Sequence, residues 1–163
     1  MKNIRLLLLP ICVLLVFASC KKKSATPATT STITVTIGGT AQTFNTGASA
    51  HVDNTNGFNS LSIIGIQSAS SSNSIILTVT NTTPVVAGSY TGTSSQVDMS
   101  YSQASGAVYQ FDGSNNASAA TVVISSITST NVKGTFSGTL ELITGSGAVS
   151  QVLTNGAFDL VIK

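Results

Sequence analysis

Apolar and polar residues alternate over much of the chain. Ile33, Val35 and Ile37 are interleaved with Thr32, Thr34 and Thr36. One face is aliphatic and the other carries hydroxyls, the pattern of a half-buried strand. Gly38-Gly39 follows, and paired glycines accept the positive φ of a tight hairpin turn. The return through Gln42 to Phe44 makes residues 32–46 a first hairpin. Residues 47–57 hold Gly47, His51, Asp53, Asn54, Asn56 and Gly57 and read as a long polar connection. Residues 61–67 form a strand with Gly65 inside it, which points to a bulge or a close backbone approach.

The alternation continues downstream. Ile75, Leu77 and Val79 share one face of a strand that closes at residues 81–84. A short strand runs from Gly88 to Gly92, and residues 93–105 read as a loose connection around Met99 and Tyr101. Residues 107–111 form a strand ended by Asp112-Gly113, and residues 121–127 form another. Over residues 132–142, Val132, Gly134, Phe136, Gly138, Leu140 and Leu142 share a face. Glycines two steps to either side leave room for the Phe136 ring, which is expected in the core with Phe44 and Phe158. Residues 145–147 read as a hairpin loop and Asn155-Gly156 as a second turn. The last strand, residues 157–162, places Phe158, Leu160 and Ile162 on one side.

No window carries a helical period of apolar residues. Short strands separated by turn signals at roughly eight to twelve residues predict an all-β, antiparallel sandwich or flattened barrel over residues 32–163. Mostly alternating runs argue against a parallel sheet buried on both faces.

The first residues follow a different pattern. Lys2 and Arg5 precede an apolar run through Ile4, residues 6–9 and residues 11–17. That run is shorter than a membrane-spanning helix needs and has the order of a secretory signal. Ser19 stands directly before Cys20, and Lys21, Lys22 and Lys23 follow. This resembles the bacterial lipoprotein signal, with Phe17 where that pattern prefers Leu. The resemblance implies a signal peptide over residues 1–19, a lipid on Cys20, and a tether over residues 20–31 to the β domain. The other of the two cysteines, Cys12, would leave with the signal, so the mature chain would hold no disulfide. Several acyl chains on one cysteine hold a protein at a membrane stably. The expected location is the bacterial cell envelope, at the outer membrane.

Charge narrows the partners. Charged residues make up 7% of the chain, a composition that with abundant Ser, Thr and Gly could signal disorder. The recurring Ile, Val and Thr instead favour pleated strands. Beyond the tether, Lys133 and Lys163 stand against Asp53, Asp98, Asp112, Glu141 and Asp159, a formal −3 with no arginine. A nucleic-acid surface needs clustered Lys or Arg. The three lysines after Cys20 would lie where anionic head groups attract them.

Candidate chemistry is sparse. His51 is the sole histidine, and with Asp53, Asn54 and Asn56 it makes neither a zinc set nor a calcium loop. No metal or cofactor is expected. The five acids offer carboxylate pairs for glycoside chemistry in principle, yet Asp112-Gly113 reads as a turn and Asp159 points away from Phe158 and Leu160. The chain has no G-x-S-x-G elbow and no phosphate loop, so no catalytic residue is assigned. Aromatic faces grip sugars and peptides, which makes Tyr90, Tyr101 and Tyr109 the candidate ligand-binding residues. Tyr101, in the loose segment, is the one expected to be exposed.

Residues 132–138 and 154–160, with residues 61–66, 75–79 and 88–90 upstream, resemble the layout of small uncharacterised Bacteroidota lipoproteins. That resemblance implies an extracytoplasmic β-sandwich and carries no activity. The functional expectation is a non-catalytic envelope lipoprotein that binds a glycan or a protein partner. The alternatives are a small hydrolase using paired carboxylates, and an assembly or inhibitor protein that binds through a strand edge.

Overall fold

The computed structural model describes residues 31–55, 57–92, 96–114 and 119–163. The chain runs through β1 (Thr32–Ile37), β2 (Thr40–Phe44), β3 (Thr46–Asp53), β4 (Asn59–Ile66), β5 (Ser74–Asn81) and β6 (Gly88–Thr91). It continues through β7 (Val97–Ser102), β8 (Val108–Gln110), β9 (Ala119–Ile127), β10 (Asn131–Thr144) and β11 (Ser150–Val161). All eleven join one sheet, ordered β2-β1-β11-β10-β8-β7-β5-β4-β3, with β9 and β6 branching from β10.

The branch follows from length. At 14 residues β10 outruns any single neighbour on that side. Its first part pairs with β9, from Val132–Ile127 to Thr139–Ala119, and its last part pairs with β8 around Leu142–Tyr109. The sheet curls until its far edge returns to β11. There Ala50 and Ile162 form a parallel bridge, and Lys163 N–H donates to Ala50 C=O at 2.9 Å. The result is an all-β, antiparallel, nearly closed, flattened barrel, the class the alternation predicts.

Inward positions make one continuous core. Ile33, Phe44, Leu61, Ile63, Ile75, Leu77, Met99, Leu140 and Leu153 are fully buried. Each such side chain contributes about 1.5–3 kcal/mol through removal from water. Gly65 is a close approach: a Cβ there would stand 2.9 Å from Ile33 Cδ1 and 3.0 Å from Phe44 Cβ. Outward positions on β1, β2, β10 and β11 carry threonines in register, with Thr34 opposite Thr43 and Thr36 opposite Thr154. The first hairpin turns at Gly38-Gly39, φ +55° and +82°, between the paired Ile37 and Thr40.

Three expectations need correction. Residues 47–57 are mostly strand, because β3 buries Ala48 and Ala50 on the inward side of an otherwise polar run. The loose segment contains β7, whose Val97, Met99 and Tyr101 all point inward. Asn155-Gly156 does not reverse the chain. Asn155 has φ +53° inside the continuous strand β11, where the registers with β1 and with β10 both shift by one residue. One extra residue between two fixed partners is a β-bulge, and Asn tolerates the left-handed conformation better than most residues.

Candidate functional site

The three candidate tyrosines are core residues. Tyr101 is 1% exposed, Tyr109 pairs with it across β7 and β8, and their rings stack 6.1 Å apart. Phe44 meets Tyr101 edge-on at 6.4 Å. The Tyr101 hydroxyl reaches the Gln42 side chain at 3.4 Å. Tyr90 is also buried, and its hydroxyl both accepts from Val86 N–H at 3.0 Å and donates to Val86 C=O at 2.9 Å. None of these rings offers a face at the surface. Cys20 and Asn56 lie outside the described residues.

The titratable groups do not converge either. Asp53 accepts from the amide and hydroxyl of Thr55 at 3.0 and 2.7 Å. Asp112 does the same with Ser114, and these hydrogen bonds, the side-chain one first, hold its carboxyl below the ordinary value. Lys133 and Asp159, both half-exposed, pair at 2.6 Å on the outside of β10 and β11. Asp98 is 3.4 Å from the Gln110 amide. The Nδ1 of His51 lies 2.9 Å from the Lys163 backbone oxygen, beside the closing bridge. Among the described residues no three of His, Cys, Asp and Glu gather to hold a metal ion.

What does converge is one end of the barrel. The chain enters β1 there, with the Ser31 hydroxyl accepting from Val161 N–H at 3.0 Å. The registers Thr32–Asp159, Asn131–Val161 and Asn59–Asn81 bring the β3–β4, β5–β6 and β9–β10 connections to the same end. Two open clefts lie on either side of the closing Ile162–Lys163 segment. One, of about 680 Å³, is bordered by Ser31, Asn45, Ala48 and Lys163. The other, of about 310 Å³, has an apolar floor of Val52, Val85, Ile127 and Ile162 under Asn54, Thr128 and Ser129. Barrel mouths are frequent binding sites.

Two large apolar side chains stand at this mouth in solvent. Phe58 is 72% exposed and Val86 57% exposed. Neither belongs to a loose loop. Phe58 N–H donates to Thr55 C=O at 3.1 Å, in the turn that Asp53 organises, and the Tyr90 hydroxyl grips the Val86 backbone. No local pattern in the sequence foretells this site, because its residues come from three connections far apart along the chain and from the segments that open and close the domain. Comparison of the chain with family models, with curated proteins and with solved structures finds no match.

Proposed function

We propose that this chain is a non-catalytic lipoprotein of the bacterial cell envelope, held at the outer membrane by a lipid on Cys20, whose β domain binds a protein partner. The observation that carries the reading is the separation of chemistry from exposed apolar surface. Asp53, Asp98, Asp112, Asp159 and His51 each serve a local hydrogen bond or ion pair, whereas aliphatic side chains occupy outward strand positions. Ile64 and Ile76 are cross-strand partners on β4 and β5, both exposed, with Ser49 and Ser100 on either side. A sugar-binding platform loses its support, because the tyrosines that would form it are buried. The two mouth clefts are bordered by no acidic side chain and the groove at Thr32, Ala157 and Phe158 by Asp159 alone, so none of these three seats the acid pair that glycoside hydrolysis needs.

Binding through a strand edge is the second reading, and β2 favours it. Among the described residues that strand pairs with β1 alone, and it carries neither Lys nor Pro from Thr40 to Phe44. Such edges accept an added strand. A photo-crosslinking residue at position 76 or 43 in cells separates the two surfaces. An adduct with one defined protein at position 76 supports the face, and one at position 43 supports the edge. Adducts at neither position sink the protein-partner reading. In the same cells, Cys20→Ser is expected to move the protein from membranes to the soluble fraction. Unchanged fractionation rejects the anchor.

A further inference from the structure

We infer that the mouth end of the barrel seats against a lipid bilayer, with Phe58 and Val86 in the membrane interface. The inference deepens the proposed anchoring at Cys20 and rests on it. Four observations converge on this end. First, Phe58 and Val86 are presented by hydrogen-bonded turns, so their exposure is built into the fold. Burying them in an interface removes apolar surface from water without reordering the chain.

Second, the surrounding connections are uncharged. Residues 54–58, 82–87 and 128–130 contain no Asp, Glu, Lys or Arg. Asp53 and Lys163 border these connections directly, and the next charges, the Lys133–Asp159 pair and Asp98, stand on the strand walls behind them. The Asp53 carboxylate is engaged by Thr55, and Lys163 supplies a cation. Third, the cleft between these connections has an aliphatic floor, which suits contact with hydrocarbon better than with water. Fourth, the chain enters the domain here. Residues 20–31 extend at most about 40 Å, and Ser31 is held to Val161 at this end. A domain anchored at Cys20 is therefore tethered to the membrane from its mouth end. The opposite end also exposes aliphatic side chains, Ile143 and Val149, on the β10–β11 hairpin. The tether does not enter there, so that end serves as the control.

The chain has no tryptophan, so single tryptophans report without background. The chain from Cys20 onward keeps the whole described core, and Cys20 is its one thiol. It is coupled through that thiol to maleimide lipid in phosphatidylcholine–phosphatidylglycerol vesicles. Chemical coupling supplies the anchor whether or not cells acylate Cys20, so this test and the fractionation test can fail separately. F58W and V86W are expected to shift their emission to the blue and to lose at least half their intensity to a doxyl-labelled lipid. V149W is expected to keep the emission of a water-exposed indole and to escape quenching. Unquenched emission from F58W and V86W on coupled vesicles overturns the inference and leaves the mouth to a protein partner. Equal quenching of V149W overturns it as well, because the contact then has no preferred end.

Discussion

At the residue scale the most informative pairs are phenylalanines set over glycines. Phe136 lies opposite Gly156, and Phe158 lies opposite Gly134. A Cβ on Gly156 would meet the Phe136 ring at 2.7 Å, and one on Gly134 would meet the Phe158 ring at 2.5 Å. The two rings stack 6.5 Å apart. The spacing around Phe136 signals room for a ring, and Phe136 is indeed buried at 4% exposure. The room at Gly134 belongs to the neighbouring strand's ring, however, because cross-strand register is a long-range fact. Truncating a buried Phe to Ala costs about 3–5 kcal/mol through lost burial and a cavity. Phe136→Ala is therefore expected to remove much of a stability of about 5–15 kcal/mol. Urea melts read it directly. A loss below about 1 kcal/mol would falsify the packing argument.

Strands whose inward positions are bulky were legible as elements; strands whose inward positions are small or mixed were not. Ile33, Val35 and Ile37 announce β1 by themselves, as Ile75, Leu77 and Val79 announce β5. In β3 the fully inward residues are Ala48 and Ala50, with Val52 partly buried after them, and two alanines are too small to stand out beside His51 and Asp53. β7 does carry a two-residue period in Val97, Met99 and Tyr101, but the surrounding Ser and Gln disguise it. Asn155-Gly156 signals a left-handed residue correctly, while its use depends on partners on both sides. Between β1 and β10 the chain cannot reverse, so the signal becomes a bulge. The bulge also exchanges faces: Leu153 points inward before it and Phe158 after it, five residues on. At φ +53° a β-branched side chain costs about 1–2 kcal/mol. Asn155→Val is thus expected to lower the urea midpoint, while Asn155→Gly leaves it nearly unchanged. Equal midpoints for the two variants refute the strain argument.

For the whole molecule, closure is the weakest link. Strands β1 and β11, from opposite ends of the domain, lie side by side, so the sheet forms only after the intervening chain is gathered. Loop-closure entropy opposes that step, and topologies of this kind fold slowly. Once formed, β10 is held by full ladders with β9 and β11. β3 has a full ladder on one side only, with β4. Its other side meets the rest of the sheet through the Ala50–Ile162 bridge, the Lys163 N–H bond to Ala50 C=O, and the His51 contact with the Lys163 backbone oxygen. Local opening follows the density of such bonds, so β3 should lift from the seam before β9 and β10 part. Amide hydrogen exchange is expected to be faster for the amides that β3 donates to β4 than for those between β9 and β10. Lys163→Pro removes one seam donor while leaving Ile162 in the extended conformation that precedes proline. A lost hydrogen bond is worth about 0.5–1.5 kcal/mol, so the β3 amides should exchange roughly 2- to 12-fold faster in that variant. The β9–β10 amides should not change. If β3 exchanges as slowly as β10 in the unmodified protein, the seam is not where the barrel opens. Because the two clefts lie on either side of this same seam, a partner or lipid surface that bridges them would slow β3 exchange selectively.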